Sequence, residues 1–289
     1  MAKTPVLRLL RERKLADLVV PPRSGAVFEA SGVITNGTDC FVVLDNVRHV
    51  VRIASHLRPE SDDHEWVGAA RQGECYEAVT CGRGTRRFYL MIEAQKHPDG
   101  TFKGAIEEYD ERWRFKARRW VDFSFEKRNT GFEGLASVEF RGQHFLLALC
   151  EGNNCRGGRK SRKGGRGRIH VLQQRGGIWK PVARIKLPRH VKFKDYAGMA
   201  VKGDRIAVVS QESSRLWLGR FRSGEWTING AGRIYDFPRT KKGKRLYHTV
   251  EGVSWLSSTT LVAVSDLRKK RHPKRSTRTD QSIHVFRVG

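Results

Sequence analysis

Residues 129–153 read NTGFEGLASVEFRGQHFLLALCEGN, and the placing of one glutamate in that stretch decides the fold. Glu133 heads an apolar, strand-like run, where an uncompensated charge is costly. The run divides into two apolar segments around a basic, glycine-containing turn, which predicts strands near 133–140 and 143–150. The same order recurs in SGVITNGTDCFVVLDN from Ser31, EAVTCGRGTRRFYLMIEA from Glu77, AGMAVKGDRIAVVSQES from Ala197 and EGVSWLSSTTLVAVSD from Glu251. Each unit opens on a small or acidic residue, then Gly or Ala, then an aliphatic residue. A turn and an apolar run ending in an acid or amide follow.

Unit starts near 31, 77, 133, 197 and 251 lie 46 to 64 residues apart, enough for four short strands and variable loops. That arithmetic predicts an all-β, five-bladed β-propeller with four-stranded blades, a single domain over 1–289. In the third unit strands are expected near 133–140, 143–150, 168–174 and 178–187, and in the fourth near 197–202, 205–210, 215–221 and 225–235. The fifth unit ends at its third strand, SIHVFRVG, so TPVLRLLRE at the N-terminus is expected to complete the last blade and close the ring. A β-sandwich of ordinary hairpins is the competing architecture.

Composition narrows the function. Lys and Arg total 56 against 30 Asp and Glu, a formal charge of +26, which favours an anionic partner. No run approaches the roughly 20 apolar residues of a membrane span, and no signal-peptide core forms before residue 20, so a cytoplasmic address is expected. Cys40, Cys75, Cys81, Cys150 and Cys155 are odd in number and form no C-x-x-C pair, so they are read as reduced thiols. No G-x-S-x-G, P-loop or H-E-x-x-H signature is present, which disfavours serine hydrolase, P-loop and zincin chemistry.

In a propeller the first strand of each blade lines the central channel, so Ser31, Glu77, Glu133, Ala197 and Glu251 should meet around the axis. Three carboxylates so gathered need protons, water or a cation. Ca²⁺ suits an all-oxygen set in loose geometry, whereas Mg²⁺ would demand a stricter octahedron. The second strands end in Asp45, Glu93, Glu151, Gln211 with Glu212, and Asp266, an outer ring of candidate catalytic acids that could orient or deprotonate a water. The competing reading for each is a loop cap.

GFEGLAS and VEGVSW resemble the blade starts of esterase-like phytases and related bacterial propellers. The order Ser, Glu, Glu, small residue, Glu is similar to that of calcium-activated nucleotidases of the apyrase type, five-bladed propellers with a central Ca²⁺ and phosphoanhydride substrates. That resemblance implies Ser31, Glu77, Glu133 and Glu251 as metal ligands. Ala197 departs from it, since the nucleotidase pattern has Ser there.

Basic loops at 153–168, 239–245 and 268–281 are expected on the same face as the glutamates. Arg159, Lys160, Arg162, Lys163, Arg189, Lys192, Lys241, Lys242, Arg245, Lys269, Lys270 and Arg271 would then bind phosphate or another polyanion. The leading expectation is a monomeric, metal-dependent hydrolase of a phosphorylated small molecule. A nonenzymatic propeller docking nucleic acid or another polyanion is the alternative, with a lactonase- or esterase-like enzyme third.

Overall fold

Arg141 and Gly142 both take positive φ, 50° and 71°, between the paired residues Phe140 and Gln143. Two successive left-handed residues make the tight turn whose twist matches a hairpin, and glycine takes its position without steric cost. The strands on either side, β10 (Phe132–Phe140) and β11 (Gln143–Cys150), are the opening stretch. They continue antiparallel into β12 (Arg168–Arg175) and β13 (Ile178–Lys186). The computed structural model that shows this describes residues 4–21, 25–73, 76–82, 84–128, 130–157 and 163–289.

The same four-strand meander is built four more times. The first comprises β2 (Ala30–Thr35), β3 (Asp39–Leu44), β4 (Val50–Ala54) and β5 (Glu65–Val67). The second comprises β6 (Tyr76–Gly82), β7 (Arg87–Lys96), β8 (Phe102–Asp110) and β9 (Phe115–Phe125). The fourth comprises β14 (Gly198–Lys202), β15 (Arg205–Ser210), β16 (Arg215–Arg222) and β17 (Thr227–Asp236). In the last, β18 (Val250–Trp255), β19 (Thr260–Ser265) and β20 (Ser282–Arg287) are joined by β1 (Arg8–Lys14), which pairs antiparallel with β20. The second and third meanders meet at one parallel bridge, Trp179 to Val121. No α-helix occurs among the described residues, and no helix is long and apolar enough to cross a membrane.

Side-chain alternation explains why the inner strands read as unbroken apolar runs. In β11, Phe145, Leu147 and Leu149 enter the core shared with the fourth meander, while Leu146, Ala148 and Cys150 enter the core shared with the second. β15 repeats this, with Ile206 and Val208 on one side and Ala207 and Val209 on the other. A strand buried on both faces has no polar side to present. The leading strands then pack in a closed circuit, β2 on β6, β6 on β10, β10 on β14, β14 on β18 and β18 on β2. The architecture is of the β-propeller kind.

That circuit requires small residues where leading strands touch. A Cβ on Gly252 would stand 2.9 Å from the backbone of Gly32, and one on Gly134 would stand 2.9 Å from the amide nitrogen of Met199. At Gly198 it would overlap the carbonyl oxygen of Glu251. Where the second residue of a repeat is glycine, at Gly32, Gly134, Gly198 and Gly252, it is therefore set by close backbone approach between neighbouring meanders.

Candidate functional site

In four of the five repeats the leading residue is aimed by a break in strand register. Pairing of β2 with β3 skips Ser31; that of β6 with β7 skips Glu77; that of β10 with β11 skips Glu133; that of β18 with β19 skips Glu251. Each is the extra residue of a β-bulge, which re-aims a side chain that regular alternation would send into an intersheet core. The fourth meander has no such break, and Ala197 donates its amide to Val209 at 3.0 Å.

The carboxylates converge closely enough to control one another's protons. Burial first, then the charge of Glu93, pushes Glu77 up to about 8, and its carboxyl group shares a hydrogen bond with Glu133. Glu133 is raised well above the ordinary value by burial and by Glu77, Glu151, Glu251 and Glu93. Glu251, 7% exposed, is raised well above it by burial and by Asp266, Glu77 and Asp45, against the opposing charge of Lys269. Ser31 lies beside them, buried, with its hydroxyl donating to the carbonyl of Tyr76 at 2.5 Å.

The acids closing the second strands form a further tier. Asp45, Glu151 and Asp266 occupy equivalent places, their amides donating to the carbonyls of Glu29, Gly131 and Thr249, each two residues before a bulge. Burial, a hydrogen bond with Glu29 and the charges of Asp266 and Glu77 push Asp45 up to about 9. Asp266, 3% exposed, is pushed by burial to about 6, with Lys269 holding it down. Burial raises Glu151 also, against Lys269 and Lys127. Glu93 acts on both Glu77 and Glu133. Glu212 stands apart: burial opposes its ionisation, but its hydrogen bond and ion pair with Arg271 bring it below the ordinary value.

Two further acids belong to the cluster and were not anticipated. Glu29 bonds with Asp45, and Asp195, 9% exposed, accepts the Ser210 hydroxyl and the Glu212 amide and is pushed by burial to about 6. They stand two residues before Ser31 and Ala197, the units that lack a leading glutamate. The signal was present as acid, any residue, small residue, Gly in FEASG and KDYAG.

The polar groups suit a hard cation. Oδ1 of Asp45 and Oε1 of Gln211 are buried without a hydrogen-bond partner, while Nε2 of Gln211 donates to Glu251 at 2.8 Å. Unpaired buried oxygens and carboxyl groups raised by crowding gain from bound positive charge. All donors are oxygen. Their oxygens are not drawn into one tight shell, because the only three His, Cys, Asp or Glu ligand atoms mutually within 4.8 Å, among the described residues, are those of Cys150, Cys155 and His170. A cation at the axis would keep part of its water.

The basic residues are placed unequally. Arg159, Lys160 and Arg162 lie outside the described residues, as does Cys75. Lys163, Arg189, Lys192, Lys241, Lys242, Lys270 and Arg271 are exposed and Arg245 is half-buried. Close packing of Gly164 and Gly165 on Lys192 and Arg189 brings two of the basic segments together. Lys269 differs in kind, since its ammonium turns inward to 3.8 Å from Glu251 and 3.6 Å from Asp266. It is a counter-ion of the acid cluster. The expectation of five reduced cysteines is corrected at one pair: Cys150 and Cys155 are disulfide-bonded, S–S 2.09 Å, whereas Cys40 and Cys81 are thiols. A tight bend after β11 returns Cys155 to the strand end, which spacing along the sequence does not reveal.

No protein-family model matches the sequence, and no curated protein matches it. Solved structures do. The chain is similar to glutaminyl cyclase from Myxococcus xanthus, with TM-score 0.58 and 11% identity over 98% of this chain and 97% of that one. It is also similar to a luciferin-regenerating enzyme, with TM-score 0.51 and 10% identity over 96% and 95%. At such identities the likeness is one of fold.

Proposed function

We propose that the five meanders are the blades of a five-bladed propeller whose axis holds a divalent cation, Ca²⁺ or else Mg²⁺, and that the protein hydrolyses a phosphorylated small molecule. The observation that carries this reading is the convergence of Glu77, Glu133 and Glu251 from separate meanders, each aimed inward by its own bulge. These three, with Ser31 beside them, would hold the ion, which when bound would polarise a phosphoryl oxygen and neutralise charge developing on it.

The chain's own groups divide the remaining work. Asp266, poised near 6, is largely ionised at neutral pH and can take a proton from water. Asp45, pushed up to about 9 without the cation, would be brought down by bound positive charge and could then help Asp266 orient water. Glu151 and Glu93 flank the ion site and orient solvent, and Glu212 fixes Arg271 at the rim. Exposed Lys163, Arg189, Lys192, Lys241 and Lys242 would draw and orient the anion.

The test is phosphate release from a panel of nucleotides, pyrophosphate and sugar phosphates by chelator-treated protein resupplied with Ca²⁺ or Mg²⁺. Turnover that returns with the ion and is lost in Glu133→Gln supports the reading. Protein that binds Ca²⁺ yet releases no phosphate from any substrate refutes the hydrolase. The second reading, a polyanion-docking propeller, draws on the packing of segment 163–165 against 189–192. It predicts salt-sensitive nucleic-acid binding, with a log–log slope of about −0.9 per phosphate neutralised on duplex DNA.

A further inference from the structure

Away from the axis, the third meander carries a second site of different chemistry. Its floor is the outer strand pair β12 and β13, where His170 stands opposite Arg184 and Arg168 opposite Lys186. Residues two apart on a strand share a face, so these four side chains project together. The bend after β11 lays Cys155 over them, and a pocket of about 230 Å³ opens between, lined by Cys155, His170, Arg168, Arg184, Lys186, Asn154 and, from β9, Phe123.

Three features bear on the chemistry of this pocket. Its cations are unspent among the described residues, where Arg168 donates only to the carbonyl of Gly167 and to Asn154, and Arg184 and Lys186 have no ion-pair partner. The disulfide is asymmetric, with Cys155 partly buried at the pocket and Cys150 fully buried in the core behind it. His170 places Nε2 3.4 Å from the Cys155 sulfur. Burial and the charge of Arg184 hold this imidazole neutral, pushed down to about 4, while Nδ1 is buried without a partner. A hydrogen on Nε2 therefore has the sulfur as its acceptor. Thiolates are favoured in such electropositive, partly exposed settings.

We propose that the Cys150–Cys155 disulfide is a thiol–disulfide exchange site, and that its substrate is a low-molecular-weight thiol carrying carboxylates, seated on Arg168, Arg184 and Lys186. The incoming thiolate attacks the Cys155 sulfur, a new S–S bond forms to it, and the bond to Cys150 breaks, leaving Cys150 as a thiolate to which the proton given up by the incoming thiol passes. A second thiolate attacks the small-molecule sulfur of this mixed disulfide. Cys155 then departs as a thiolate, accepting the hydrogen bond of His170, and takes up the proton given up by the second thiol. Two small thiols are oxidised to one disulfide and the protein gains two electrons and two protons as Cys150 and Cys155 thiols. The reverse sequence oxidises the protein. The site is independent of the cation and phosphate chemistry proposed at the axis.

The test compares reduced glutathione, 2-mercaptoethanol and cysteamine as reductants of the intact oxidised protein, at matched thiolate concentration, with alkylation and mass spectrometry reading the thiols formed. The anionic thiol should react about tenfold faster than the neutral one and faster still than the cationic one, through attraction by the pocket's cations. Arg184→Glu with Lys186→Glu, both exposed positions, should abolish or invert that order. Cys150→Ser should collect a mixed disulfide on Cys155 from oxidised glutathione. Equal rates for the three thiols, or a disulfide that stays closed in folded protein under millimolar glutathione, overturns the proposal. So does a pocket that binds inorganic phosphate while leaving thiol reactivity unchanged by charge.

Discussion

Glu77→Gln should move stability and cation binding in opposite directions. In the cation-free protein Glu77 sits at about 8 against an ordinary 4.5. Between those values the folded state binds more protons than the unfolded one, so stability falls as pH rises through the window. At about 1.4 kcal/mol per tenfold in proton affinity, the gap sets an upper limit near 5 kcal/mol. Glu77 is only half-buried and shares its proton with Glu133, so a net effect of about 1–3 kcal/mol is expected. Glutamine keeps the shape and can donate toward Glu133 but carries no charge. The variant should match the parent near pH 4.5 and melt higher at pH 8, by about 2–4 °C per kcal/mol for a chain of this order of size. Added Ca²⁺ should raise the parent's melting temperature at pH 8 and raise the variant's far less. The assay is thermal unfolding of chelator-treated protein from pH 4.5 to 9, with and without Ca²⁺. A parent whose stability is flat or rising across that range, or a variant that keeps the full Ca²⁺ shift, refutes the reasoning.

Other consequences follow from the same geometry. Lys269→Met removes a positive charge beside Glu251 and Asp266 and should tighten Ca²⁺ binding by about tenfold in titration calorimetry; weaker binding would mean that the lysine orders the site instead. Gly198→Ala drives a methyl group into the backbone of Glu251 and should cost roughly 1–3 kcal/mol in urea unfolding, with an unchanged midpoint counting against close strand approach. Deleting residues 1–14 strips β1 from β20, and with it the bonds from His284 (2.9 Å) and Tyr247 (3.0 Å) to Glu12. The bared edge should aggregate, and a soluble, cooperatively unfolding product would show that the strand is dispensable.

The amino-acid sequence by itself determined the strands, because alternation and turn chemistry act over a few residues. The expected limits 143–150 and 205–210 coincide with β11 and β15, and the short fifth repeat pointed to the N-terminal segment that now lies beside β20. It also picked out Glu77, Glu133 and Glu251, since a charge opening a doubly buried strand has few places to go. Only the tertiary structure decided the rest. Whether a lysine faces solvent or acid depends on which loop folds over the axis, so Lys269 read as rim and Glu29 and Asp195 read as nothing. Cys155 meets Cys150 through a bend set by packing around Asn153, whose side chain bonds Phe193 and Tyr196 in the segment leading into β14. Contacts between segments tens of residues apart are fixed by how sheets stack, and pattern along one strand does not carry that information.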